Sequence, residues 1–134
     1  MGPGAKVPLD QLNIGSRHWD GISQMSAFAT SIDAFRSRIK QGLNVLEGPG
    51  GAHFDRRAGN PSEGIDTQGL PLGIIPALGQ RVAEKDPYAE DALTFTLLAR
   101  ELAVRSLAET DVRAIQRLAK AISLLVEAAL SLYP

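Results

Sequence analysis

His53-Phe54-Asp55-Arg56-Arg57 gathers an imidazole, a carboxylate and two guanidiniums within one short stretch. The histidine can serve as a general base if the Asp55 carboxylate orients it. Arg56 and Arg57 can clamp a phosphate or carboxylate through paired N–H donors. The same residues equally suit a solvated charged loop, because a catalytic cluster needs a second supporting element and the sequence shows none. His53, Asp55, Arg56 and Arg57 are therefore candidate ligand-binding residues, and no residue is assigned a catalytic role.

The other histidine, His18, stands in His18-Trp19-Asp20. There Asp20 is placed to cap a following helix, with Trp19 stapled against its first turn. A metal site would need both histidines together with carboxylates such as Asp20 and Asp55, and neither histidine has helical ligand spacing, so no metal is expected. Gly48-Pro49-Gly50-Gly51 is Gly-rich, but no Gly-Lys-Ser/Thr follows, and it reads as a turn and not as a phosphate loop. No cofactor is implied.

Two basic clusters are candidate nucleic-acid contacts. Arg113, Arg117 and Lys120 step along one helix face, with Arg100 and Arg105 nearby in sequence. Arg36 and Lys40 share a face in an earlier segment, while Arg38 points away. Such stripes can meet phosphates, and they also decorate solvated helices. No aromatic residue interleaves with either cluster to stack bases. The formal net charge of −1 gives no global field toward nucleic acid or an anionic membrane.

The elements that must position these residues are helical. Aromatics make up only 5% of the 134 residues, so alanine and leucine must fill the core, which favours helix over sheet. A composition 44% hydrophobic and 22% charged is that of a globular chain, long enough for one core. There is no cysteine, hence no disulfide, thiol nucleophile or thiolate site. The start, Met1-Gly2-Pro3-Gly4, lacks the apolar run of a secretory signal, and Lys6 spoils a myristoylation motif. No apolar run reaches spanning length, so a soluble protein without membrane insertion is expected, its compartment unknown.

The periodicities predict an all-α fold occupying 1–134 as a single domain. Residues 1–15, rich in Gly and Pro, predict an extended arm. Ile22, Met25, Phe28, Ile32, Phe35, Ile39, Leu43 and Leu46 recur at three- and four-residue steps and predict one long helix over 20–47, with Gly42 a weak point inside it. Residues 48–73, with seven glycines and three prolines, predict a long mobile loop. A short helix follows near 76–84.

Residues 87–108 and 111–132 predict an antiparallel hairpin that completes a small helical bundle, with Asp86 and Thr110 as caps. Ile115, Leu118, Ile122, Leu125, Ala129 and Leu132 draw its seam. The helix 87–108 is apolar over most of its circumference, and Leu124 interrupts the polar face of the last helix. Leu93, Leu97, Val104 and Leu124 are accordingly candidate contacts with another copy of the chain. Together these features imply a non-enzymatic structural or assembly subunit, a homo-oligomer with other protein subunits as possible partners. The alternatives are a nucleic-acid-binding or genome-wrapping helical protein, and a small ligand binder or enzyme using the 48–73 loop.

Overall fold

Leu12, Trp19 and Ile22 fall on one face of a helix, and all three are buried. They fix α1, Leu9–Ser23. The computed structural model describes residues 8–134. Its further helices are α2 (Ile32–Glu47), α3 (Ile74–Ala83), α4 (Ala89–Ala108) and α5 (Val112–Ser131), with a 3-10 turn at Arg56–Ala58. The described residues form no strand. None of their helices is long and apolar enough to cross a membrane.

The expected arm over 1–15 is corrected where it can be seen: residues 1–7 lie outside the described part, and the chain is helical from Leu9. Pro8 begins this helix instead of opposing it, since its carbonyl accepts the first bond from Leu12 N at 3.0 Å.

The single helix expected over 20–47 is two helices. Met25, Phe28 and Ile32 carry the helical period straight through the break, so periodicity alone could not reveal it. The break is made by polar groups. Ser31 caps α2 by accepting from Ala34 N at 3.1 Å. From α5, Gln116 Nε2 donates to the carbonyls of Ser23 (3.2 Å) and Met25 (2.6 Å), satisfying the end of α1. Asp20 thus lies near the end of a helix instead of capping a start.

Trp19 is not a staple but a core residue, fully buried. Its indole lies on Gly42, where a Cβ would stand 2.5 Å from ring carbons. Gly42 is therefore the seat that lets α1 and α2 close on each other.

α4 meets α2, α3 and α5. The residues it buries are small: Ala89, Ala92, Thr96, Ala99, Ala103 and Ser106. Larger neighbours, among them Leu93, Phe95, Leu102 and Val104, are half-buried against the core. Having neighbours on several sides accounts within one chain for much of the wide apolar arc read in the sequence. On α5, the fully buried line is Ile115, Ala119, Ile122, Val126 and Ala129. The seam is turned from the expected one, with Leu125 and Leu132 half-buried, because α5 packs between α1 and α4. The caps also shift slightly: Asp111, not Thr110, caps α5 by accepting from Arg113 N at 3.0 Å. α4 begins at Ala89, while Asp86 holds the turn before it through Tyr88 N at 2.9 Å.

Candidate functional site

The last two turns of α2 carry Lys40, Gln41, Asn44 and Glu47, one polar stripe at helical spacing. The 48–73 loop lies on this stripe. Asn44, completely buried, donates to the carbonyls of Asp55 and Gly59, both at 2.7 Å, and accepts from Asp55 N at 2.8 Å. Gln41 donates to the Ala58 carbonyl at 3.1 Å, and Lys40 Nζ lies 3.7 Å from the Asp55 carboxylate. Loop backbone that could not find a ladder partner thus finds side chains, as buried peptide groups must.

The loop is closed at its neck. Gly48 (φ +71) and Gly73 (φ +117) both use the left-handed half of backbone space. Their backbones touch, and a Cβ on Gly73 would stand 2.8 Å from Gly48 Cα. Gln11 on α1 clamps the outgoing segment of the neck, donating to the Pro71 carbonyl (2.9 Å) and accepting from Gly73 N (2.6 Å).

Glu47 ends the stripe and orients His53. Its Oε1 accepts from His53 N at 2.7 Å and its Oε2 is 2.8 Å from His53 Nδ1. The Glu47 side chain is 4% exposed and that of His53 40%, so the carboxylate is inside and the imidazole reaches out. A carboxylate can only accept, so Nδ1 carries a proton and donates it to Glu47, which turns Nε2 outward. Nε2 has no partner among the described residues.

His53 forms part of the wall of a cavity of about 800 Å3. Glu47, the 50–53 segment and His53 make one side. Leu72, Ile75 and Pro76 make an apolar floor, and α4 contributes Arg100, Glu101, Val104 and Arg105. Among the described residues neither arginine has an ion-pair partner. The cavity therefore combines apolar surface, two unpaired guanidiniums and an imidazole held by a buried carboxylate. No hydroxyl, thiol or lysine amine lines it. It can hold an anion, and His53 Nε2 can exchange a proton with a bound molecule or water.

No family model, curated protein or solved structure matches this chain. What it does has to be read from these residues.

Of the ligand-binding residues named from sequence, only His53 lines this cavity. Asp55, Arg56 and Arg57 line a shallower depression of about 500 Å3 that shares His53 as a wall. Asp55 does not orient the histidine. Its carboxylate accepts from Arg57 N at 3.0 Å, starting the 3-10 turn, and the orienting acid is Glu47. Glu47 leaves no signal in the sequence because it follows Val45 and Leu46 as an ordinary helix-end charge. Arg100 and Arg105, grouped above with the α5 cations, belong to the cavity instead.

The basic residues separate into three places. Lys40 serves the loop anchor, and Arg36 lies 3.9 Å from Asp33. Arg113, Arg117 and Lys120 line a shallow groove with Asp20, whose carboxylate bonds Lys120 Nζ at 2.9 Å. That bond, chiefly, holds the Asp20 pKa below its ordinary value. Among the candidate interface residues, Leu93 and Val104 pack on the core and Leu97 is half-buried. Leu124 is 53% exposed. Among the described residues no group of acids and histidines could hold a metal ion.

Proposed function

We propose that the chain binds a small organic anion with an apolar body in the cavity between the 50–53 segment, α3 and α4. The observation that carries this reading is His53, fixed by the buried Glu47 carboxylate, on the same cavity wall system as two guanidiniums without partners. Buried carboxylates are expensive unless bonded, and this one gives one oxygen to the His53 backbone N–H and the other to its imidazole. The apolar floor would take the ligand's body, and Arg100 and Arg105 its charge. The reading treats the chain as one small bundle in which α4 and α5 form an antiparallel hairpin and the loop completes the cavity wall.

The test is a titration with a medium-chain carboxylate, octanoate, followed through the His53 ring resonances, with octanol as the uncharged control. Saturable shifts with the acid and about tenfold weaker binding of the Arg100→Ala/Arg105→Ala double variant are expected, from the worth of charge-assisted hydrogen bonds. Equal response to acid and alcohol, or none to either, would remove the anion-binding reading.

A second reading, self-association as an assembly subunit, draws support from Leu98 and Leu124, which are 47% and 53% exposed. Its motive is smaller than the sequence suggested, since α4 finds neighbours within the chain. Light scattering tests it: a large oligomer whose mass falls in Leu124→Glu supports assembly, and a monomer at high concentration removes it.

A further inference from the structure

Phe28 stands in the turn between α1 and α2 and is 92% exposed. It packs on no core residue. Arg113 lies over one side of its ring, with Cζ 5.9 Å from the ring centroid. The other side is open. Sequence separation hid this neighbour: the basic stripe of α5 has no aromatic of its own, and the turn after α1 delivers one to its end.

Arg113 also borders the groove of about 420 Å3 that holds Arg117 and Lys120. The groove carries three cations, and Arg113 at its border links it to the Phe28 ring, which lies outside the groove lining. One carboxylate, Asp20, opposes them and is engaged by Lys120 at 2.9 Å. Arg113 and Arg117 have no ion-pair partner among the described residues.

We infer that Phe28, Arg113 and Arg117 form a binding site for single-stranded nucleic acid, one base stacking on the free face of Phe28 while the flanking phosphates meet the two guanidiniums. Every base has a π-face, so the site accepts any sequence, and a duplex, whose bases are already stacked, cannot use it. A membrane surface fits less well, because the turn offers one aromatic side chain flanked by Ser26, Ala27, Ala29 and Thr30, with no further large apolar residue to insert. The site is separate from the anion cavity and does not depend on it.

The experiment is fluorescence anisotropy with a short labelled oligothymidylate at several salt concentrations. The wild-type chain should bind with a salt slope of roughly −1.4, for two phosphates at about −0.7 each on a single strand. Phe28→Ala should weaken binding about tenfold, within the range for one lost base stack. Arg117→Ala should weaken it and bring the slope nearer zero by about 0.7. Because Phe28 lies outside the core, a circular dichroism spectrum unchanged in Phe28→Ala separates lost binding from lost folding. Binding that ignores Phe28→Ala, or a duplex that competes as well as the single strand, overturns the inference. So does Phe28-dependent capture by phosphatidylserine vesicles in the absence of oligonucleotide binding.

Discussion

The second half of α2 and the outer face of α5 carry comparable polar residues and use them in opposite ways. On α2, Gln41, Asn44 and Glu47 turn toward the 48–73 loop and spend their hydrogen bonds on its backbone and on His53. On α5, Arg113, Arg117 and Lys120 remain exposed beside a shallow groove. The residues nearest them that do turn inward, Gln116 and Ser123, each serve α1, with Ser123 Oγ donating to the Ser16 carbonyl at 3.0 Å. A polar stripe on a helix is thus a solvated face only if nothing without its own ladder lies over it. Over α2 lies a Gly/Pro-rich loop whose peptide groups need partners, and the stripe supplies them.

The largest effect should come from removing the centre of the buried stripe. Asn44→Ala strips partners from Asp55 N and from the Asp55 and Gly59 carbonyls. Leaving these three part-buried groups unpaired should cost on the order of 2–4 kcal/mol in urea unfolding. Arg117→Ala, on the exposed stripe, should change stability by no more than about 0.5 kcal/mol. Similar losses in the two variants would erase the distinction between the stripes.

Gly42→Ala should come next, and its sign is informative. Helix propensity alone favours alanine by about 1 kcal/mol. A Cβ at this position would stand 2.5 Å from the Trp19 ring, which is completely buried. Overpacking of that kind costs about 1–3 kcal/mol, so the net change should be destabilising. A rise in the melting temperature of Gly42→Ala would mean that α1 and α2 are not held together through this contact.

These two positions also show where the sequence stops being legible. The helices from α3 onward could be read because each has a helical period bounded by Pro, Gly, Asp or Thr, and the elements differ from expectation only in their end residues. α1 could not, because Pro8 and Gly15 look like breakers when the helix that uses them is unknown. The α1–α2 turn was hidden because Met25, Phe28 and Ile32 preserve the period across it. His53 was visible as a residue type, whereas its partner was misassigned to the neighbouring Asp55. Glu47 is six residues away and comes into reach only after the chain turns back at Gly48 to Gly51. Contacts such as Gln11 with Gly73 or Phe28 with Arg113 join residues far apart in the chain and leave no local pattern to read.

The smallest effect is on acid stability, and it rests on two residues of α1, His18 and Asp20. His18 donates from Nε2 to the Arg38 carbonyl at 2.7 Å, tying α1 to α2. Burial in that seam, the largest cause, holds its pKa below the ordinary 6.5. The bond to the carbonyl works against this, and the charge of Arg38 adds to it. Unfolded chains therefore take up the proton first as pH falls. The contribution of His18 is complete above about pH 6.5 and is lost as pH falls through its lower folded value. Asp20 behaves alike in a lower window. Its bond from Lys120 depresses its pKa below 3.8, so its contribution is complete above that value and is lost as pH falls through the folded one. Melting temperatures measured from neutral pH down to about pH 3 should fall in two steps. His18→Gln keeps a donor for the Arg38 carbonyl without a titrating ring and should abolish the upper step alone, while Lys120→Met should diminish only the lower. An upper step that persists in His18→Gln would move the acid response away from the α1–α2 seam. It would then have to arise from groups elsewhere in the molecule.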